Sequence, residues 1–332
     1  MTGSQGAPLL EVENLTTLYP VRRGLADRVA RQPRLWVHAV DGVSFTLARG
    51  EMLALVGESG CGKTTTAQTI LGMVAPASGT VRLNGTDIAG LPERQMRPLR
   101  RQLQMIYQDP YESLDPRFRV ETAVGEPLLV HGIGGKPAER RELIVEALER
   151  AGLSPAEAFL ARYPHELSGG QRQRVAIAAS LVLGPDLLLA DEPVSMLDVS
   201  VRAGVLTLLD RLRRDGRMGI LMITHDLSTA AHFADRIAVM YLGRIVEHGP
   251  ARQVVRHPQH PYTKALFTAA LPAHPDDKYE RLQLAGEVPS ALAPPSGCRF
   301  HPRCPHAMRR CAEEAPVRKA VAPGHTVACH LY

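Results

Sequence analysis

The stretch Val56 to Thr65, VGESGCGKTT, constrains this chain more than any other ten residues. It has the spacing G-x-x-x-x-G-K-[ST], with Gly57, Gly62, Lys63 and Thr64 in the motif positions. Glycines at these points let the backbone close into a concave nest whose N–H groups face phosphate oxygens. Ser59, Gly60, Cys61 and Thr65 complete the loop, and Cys61 reads as a small filler residue. Lys63 is expected to neutralise β- and γ-phosphates, and the Thr64 hydroxyl to ligate Mg²⁺. The flanks suit the motif. Met52–Val56 is a short apolar run of the kind a buried parallel strand needs, and Thr65–Gly72 reads as a helix closed by glycine. The helix N-terminus adds partial positive charge to the same point. A strand, a phosphate loop and a helix in this order predict an α/β nucleotide-binding fold.

Before the loop, Leu9–Leu15 alternates as a strand does and runs on to Tyr19-Pro20. Tyr19 either stacks on a base or closes a partly buried strand end. Residues 21–35 hold five arginines and one acid, Asp27, and read as a solvated insertion. His38–Leu47 alternates again. Beyond the loop helix, Gly79–Leu83 reads as a strand closed by the Asn84-Gly85 turn. Leu103–Tyr107 reads as another strand, and Gln108 at its end is a candidate Mg²⁺ or water ligand. The stretch from Asp109 to Pro116 is turn-rich. Lys136–Leu153 is periodic, with Leu143, Ala147, Leu148 and Ala151 predicted on the buried face.

A second phosphate-seeking feature follows. In Leu167-Ser168-Gly169-Gly170-Gln171, Ser168 is placed to cap a helix whose first N–H groups are bared by the glycines. One chain has no use for two γ-phosphate sites. Two chains arranged head to tail do, each offering Ser168, Gly169, Gly170 and Gln171 to the nucleotide of the other. Leu187–Ala190 is then an apolar strand that ends in Asp191 and Glu192. Asp191 is expected in the Mg²⁺ shell, and Glu192 is expected to polarise the attacking water. Ile220–Thr224 is a further buried strand. It ends at His225, which either touches the γ-phosphate or is structural.

The order of these pieces resembles the ATP-binding-cassette (ABC) ATPases, LSGGQ being specific to that family. More narrowly, the chain resembles the ATPase subunits of bacterial dipeptide and oligopeptide importers. The likeness lies in YQDPYESLDPR (107–117), HPQHPYTKAL (257–266) and GEVPSALAPPSGCRFHPRCPHAMRRC (286–311). It departs at Val194-Ser195-Met196, where the family carries Thr-Ser-Ala, while Glu192 is retained. The resemblance implies a P-loop (RecA-like) ABC domain over 1–250, with a helical subdomain at about 109–165 and a cysteine-rich extension over 251–332. It implies ATP and Mg²⁺ as cofactors. It also implies a second ATPase subunit, two transmembrane permease subunits and an extracytoplasmic solute-binding protein as partners. Peripheral attachment at the cytoplasmic face of the inner membrane follows. Nickel or glutathione importers share the subunit type. A soluble, non-transport ABC ATPase acting on DNA or ribosomes is the rival from another class. The formal charge of +5 permits it, but nucleic acid is not expected.

No run of about 18 apolar residues is present, and the first residues lack the pattern of a secretory signal. A reducing compartment is therefore expected, and with it thiols rather than disulfides. Cys298, Cys304, Cys311 and Cys329 have the spacing C-x₅-C-x₆-C-x₁₇-C in a segment rich in Pro and Gly. Four thiolates on one group would cross-link it. Sulfur-only ligation points to zinc or an iron–sulfur cluster. The spacing lacks the C-x₂-C pairs usual in structural zinc sites. Unligated thiols remain the third reading, and His301, His306, His325 and His330 are nearby substitutes. The resemblance favours a [4Fe-4S] cluster over Zn²⁺, in a structural role.

Overall fold

The structure is a computed structural model that describes residues 7–21, 23, 34–109, 113–216, 218–270 and 286–332. Most of the arginine-rich insertion, and residues 110–112 of the turn-rich stretch, lie outside the described residues. The strands are β1 (Leu10–Pro20), β2 (Trp36–Leu47), β3 (Met52–Val56), β4 (Ser78–Leu83), β5 (Thr86–Asp87) and β6 (Leu103–Ile106). They continue with β7 (Leu187–Asp191), β8 (Gly219–Thr224), β9 (Arg236–Tyr241), β10 (Arg244–Pro250), β11 (Lys319–Ala322) and β12 (His325–Val327).

Described residues within 1–9, 47–52 and 91–223 form one compact unit, and those within 10–46, 53–90 and 224–332 form another. In the first unit β6, β7 and β8 run parallel, with Leu103 opposite Leu187 and Leu187 opposite Gly219. Every residue of β7 and β8 is buried. Unbroken apolar runs such as LLLA and ILMI are what a parallel strand covered on both faces requires. Helices Val120–Val130, Pro137–Arg150 and Gly169–Leu181 pack on one another in the same unit. Gly125 lets two of them approach closely, since a Cβ there would stand 2.9 Å from Ile144 Cδ1. The second of these helices buries Ala147 and Leu148 as expected, with Ala151 buried just past its end, and departs from the expectation at one position. Ile144, Ala147 and Leu148 are its buried residues, and Leu143 is only half-buried. Full burial of Ile144 stabilises the bundle by about 2 kcal/mol.

In the second unit β1 lies between β2 and β4, and β4 pairs with β5. The Asn84-Gly85 link has positive φ at both residues (50° and 79°), as a two-residue hairpin turn demands. The same unit contains β3 parallel to β9, then β10, β12 and β11, each antiparallel to its neighbour. The C-terminal hairpin β11–β12 is thus joined to β10 by main-chain pairing, with Glu247 opposite Val327.

Candidate nucleotide site

The phosphate loop leaves β3 and enters helix Lys63–Ile70 in the second unit. Two of its glycines are required by close backbone approach. A Cβ on Gly57 would stand 2.2 Å from Met240 O, and one on Gly62 would stand 2.1 Å from Ala39 O. Gly60 is not packed in this way. Its positive φ of 78° favours glycine, but a Cβ there would meet open space. Lys63 is buried, and its Nζ donates to Gly57 O at 2.8 Å and Glu58 O at 3.0 Å. The ammonium is therefore already held at the loop by neutral carbonyls, which an anionic phosphate can outbid. Cys61 is buried against it, and burial pushes its thiol above the ordinary range, which agrees with an inert filler. Ser59, Gly60 and Thr64 are exposed, and Thr65 is half-buried. Thr65 O accepts from Thr69 Oγ1, which lies 3.0 Å from Thr17 Oγ1 and so ties the loop helix to β1. Tyr19 lies at the end of β1, half-buried. His225 is exposed just after β8, and Asp226 beside it caps helix Leu227–Phe233.

The first unit holds Gln108, Asp191 and Glu192. Asp191 is buried at the end of β7. Glu192 adopts a left-handed backbone at φ 45°, a conformation that is costly for a non-glycine residue. Its N–H donates to Ile223 O at 2.9 Å, and its carbonyl accepts from Ser195 Oγ at 3.1 Å. Its carboxylate oxygen Oε2 accepts from Gln108 Nε2 at 3.1 Å. The structure thus brings Gln108 and Glu192 together, 84 residues apart in the chain. Met196, in the departure from the family pattern, is exposed, and Val194 is buried.

In the same unit Ser168 caps helix Gly169–Leu181 as expected. Ser168 Oγ accepts the Gln171 N–H at 3.3 Å, and Gln171 Oε1 accepts the Ser168 N–H at 3.0 Å. This reciprocal capping box fixes the first turn and assigns Gln171 a structural part that the sequence reading lacked. Gly170 packs against Val201, whose Cγ1 would stand 2.5 Å from an added Cβ.

All five cysteines are free of disulfides. Cys311 and Cys329 are buried, and Cys298 and Cys304 are half-buried. Burial pushes the Cys298 thiol up to about 11, and Cys311, Cys329 and Cys304 add to the shift through their charge. Burial also raises Cys304 and Cys329. The four sulfurs therefore share one electrostatic neighbourhood, in which thiolates would need a cation beside them. The donor type suits a thiolate-held group, but the arrangement does not. Among the described residues no three His, Cys, Asp or Glu side chains converge to hold a metal ion. Of the nearby histidines, His325 has its Nε2 2.7 Å from Glu247 Oε1 in a buried pair.

Sequence reasoning missed the residues that fasten the extension. Glu247 is buried in β10 and accepts from Gln259 N at 2.8 Å and His260 N at 2.7 Å, besides pairing with His325. A lone acid inside the apolar strand RIVEHG was the available signal. Tyr262 accepts the Glu58 N–H at 2.9 Å, and Arg303 forks onto the Glu58 carboxylate.

Residues 40–195 match the ABC transporter family, and residues 246–311 match the C-terminal region of oligopeptide/dipeptide transporters. The oligopeptide transport ATP-binding protein AppF of Bacillus subtilis (strain 168) is 44% identical over 100% of both chains. The di/tripeptide transport ATP-binding protein DppF of Pseudomonas aeruginosa (strain UCBPP-PA14) is 43% identical over 97% of each. Among solved structures, the ATP-binding cassette MJ0796, a dimer in a post-hydrolysis state bound to ADP and Pi, is 28% identical. It has a TM-score of 0.63 and covers 73% of this chain and 99% of its own. CbiO1 of Clostridium perfringens, part of the transporter complex CbiONQ, has a TM-score of 0.64 at 28% identity, covering 75% and 91%. The motif loop, the capped LSGGQ helix and these full-length likenesses agree, and the chain belongs to the ABC transporter ATPases that carry the oligopeptide/dipeptide transporter C-terminal region.

Proposed function

We propose that this chain hydrolyses ATP to drive uptake of small peptides. The match of residues 246–311 to the oligopeptide/dipeptide transporter C-terminal region carries the peptide assignment. Lys63 and the loop N–H groups hold the β- and γ-phosphates, and His225 contacts the γ-phosphate. Thr64, Gln108 and Asp191 would hold Mg²⁺, which supplies charge neutralisation on the phosphate oxygens. Glu192 orients the attacking water and takes its proton, while the Gln108 amide holds the carboxylate in place. The water oxygen forms the new bond to the γ-phosphorus as the bond to the bridging oxygen breaks. Positioning and electrostatic complementarity supply most of the acceleration.

The reading assigns 1–250 to the ATPase and 251–332 to the extension. It pairs the chain with a second ATPase subunit, so that Ser168, Gly169, Gly170 and Gln171 complete the partner's nucleotide site. Among the described residues no helix is long and apolar enough to cross a membrane. In this reading, which rests on the likeness to peptide-importer subunits, two permease subunits supply the passage, a solute-binding protein supplies the peptide, and this chain attaches peripherally at the cytoplasmic face. We further assign Cys298, Cys304, Cys311 and Cys329 to a structural [4Fe-4S] cluster or Zn²⁺. The all-thiol donor set and the likeness to the peptide-importer subunits, not the side-chain arrangement, support this. Deleting the chain from its host and supplying wild type or Glu192→Gln tests the transport assignment. Labelled tripeptide uptake returns with wild type only. Uptake that persists in the deletion, with no change on complementation, overturns it.

A further inference from the structure

Glu58, the one acid in the stretch 56–65, has no part in the chemistry above, yet its carboxylate is held at both oxygens. Arg303 Nη1 donates to Glu58 Oε2 at 2.9 Å and Nη2 to Oε1 at 3.3 Å. Such a parallel fork fixes orientation as well as charge. The Arg303 side chain is 9% exposed, and its Nε is buried without a hydrogen-bond partner. Its Cζ lies 5.9 Å from the Tyr241 ring centroid, and Tyr241 packs edge-on against Tyr262 and Phe300. Tyr262, fully buried, accepts the Glu58 N–H. The Glu58 carbonyl accepts from Lys63. Main chain and side chain of this one residue are thus held from three directions. A phosphate in the loop competes for Lys63, and Tyr262 and Arg303 are then the named contacts that keep Glu58 in place.

Arg303 ends the single turn His301–Arg303, which lies between Cys298 and Cys304. Cys298 N donates to Cys311 O at 2.7 Å, tying the start of that segment to helix Arg309–Glu313. A second tie runs beside it. Arg299 is buried, pairs with Asp41 of β2 and donates to Leu242 O. The N–H of the next residue, Gly243, donates to Cys61 O at 2.8 Å. The cysteine segment therefore reaches the loop directly at Glu58, and at Cys61 only through the Leu242-Gly243 turn.

We propose that Arg303 is a positioning residue for the phosphate loop, so that the C-terminal cysteine segment sets the affinity of the loop for nucleotide. This rests on the reading of the loop as the ATP site. The test is MgATP titration of the full chain, with Arg303→Ala, Glu58→Gln, the double variant and Arg303→Lys. Each of the first two raises Kd about tenfold, a typical value for a charge-assisted pair. The double variant binds no more weakly than the weaker single, because the two changes remove one interaction. Arg303→Lys recovers part of the affinity, and in turnover KM for ATP rises more than kcat falls. Singles that bind as wild type, or a double whose loss is the product of the singles, overturn the inference. If Arg303→Ala fails to fold, Glu58→Gln decides alone: an unchanged Kd overturns the inference. Lys63→Ala separates the two readings. ATP binding that survives it contradicts the nucleotide site itself. Binding lost in Lys63→Ala but intact in the Arg303 and Glu58 variants contradicts only this inference.

Discussion

Gln108 Nε2 donates to Glu192 Oε2 at 3.1 Å, so the amide two residues beyond β6 orients the acid that follows β7. Glu192→Gln leaves a neutral amide where the proton acceptor stood. Phosphate release from MgATP is expected to fall about 10²- to 10⁴-fold, with ATP affinity changed little. A release assay beside a binding titration checks this. A drop in affinity that matches the drop in rate places Glu192 in binding rather than in chemistry.

The three loop glycines are predicted to differ sharply. Gly57→Ala and Gly62→Ala push a methyl onto Met240 O and Ala39 O, and each costs about 3 kcal/mol or displaces the loop. Gly60→Ala meets open space and costs only its left-handed backbone, about 1–2 kcal/mol. Melting temperature and binding of a fluorescent ATP analogue measured on all three rank them. Equal losses at all three positions contradict the packing described for the loop.

Acid is predicted to loosen the C-terminal region. Burial holds the His260 imidazole down at about 3, from an ordinary 6.5. His248 is held at about 3 as well, by burial and by the charge of Arg236 and Arg318. Below 6.5 the unfolded chain binds protons that the folded chain refuses, so stability falls as pH drops from 6.5 towards 3. The slope is up to about 1.4 kcal/mol per pH unit for each histidine. His260 Nδ1 accepts the Tyr262 N–H at 3.1 Å, and the amide oxygen of an asparagine can take that place. Unfolding midpoints at pH 7.5 and pH 5 are expected to differ less in His260→Asn than in wild type. An equal loss in both contradicts the assignment.

The cysteine assignment makes a compositional prediction. Protein purified without oxygen is expected to carry about four irons and four acid-labile sulfides per chain, the content of a [4Fe-4S] group. Replacing Cys298, Cys304, Cys311 and Cys329 with serine removes both. One zinc without sulfide replaces the cluster with a single-ion staple. Neither metal leaves the four as unligated thiols and contradicts the assignment.

The legible parts of this chain are those where local backbone geometry demands particular residues. Gly57, Gly62 and Lys63 of the loop, the Ser168 cap, and the apolar strands that end at Asp191 and Thr224 could all be read from short windows. The Pro137–Arg150 helix was legible in kind and at Ala147, Leu148 and Ala151, but not at its first buried position, since Leu143 and Ile144 are both apolar and packing against Gly125 selects Ile144. Long-range polar pairs left little local trace, the acid inside the apolar strand at Glu247 being the one hint. Glu58 and Arg303 are 245 residues apart, and Glu247 and His325 are 78 apart. The partner of each is named only by the fold: the pairing of β10 with β12 brings His325 to Glu247, and the segment after helix Ala251–Arg256 brings the N–H groups of Gln259 and His260.

The central claim is that this chain spends ATP to move peptides. The most direct measurement is the ATPase rate of the complete transporter in proteoliposomes, with its permeases and solute-binding protein, as peptide is added. The account predicts hydrolysis that rises with peptide-loaded binding protein and vanishes in Glu192→Gln. A rate indifferent to peptide, but stimulated by DNA or ribosomes, would contradict it.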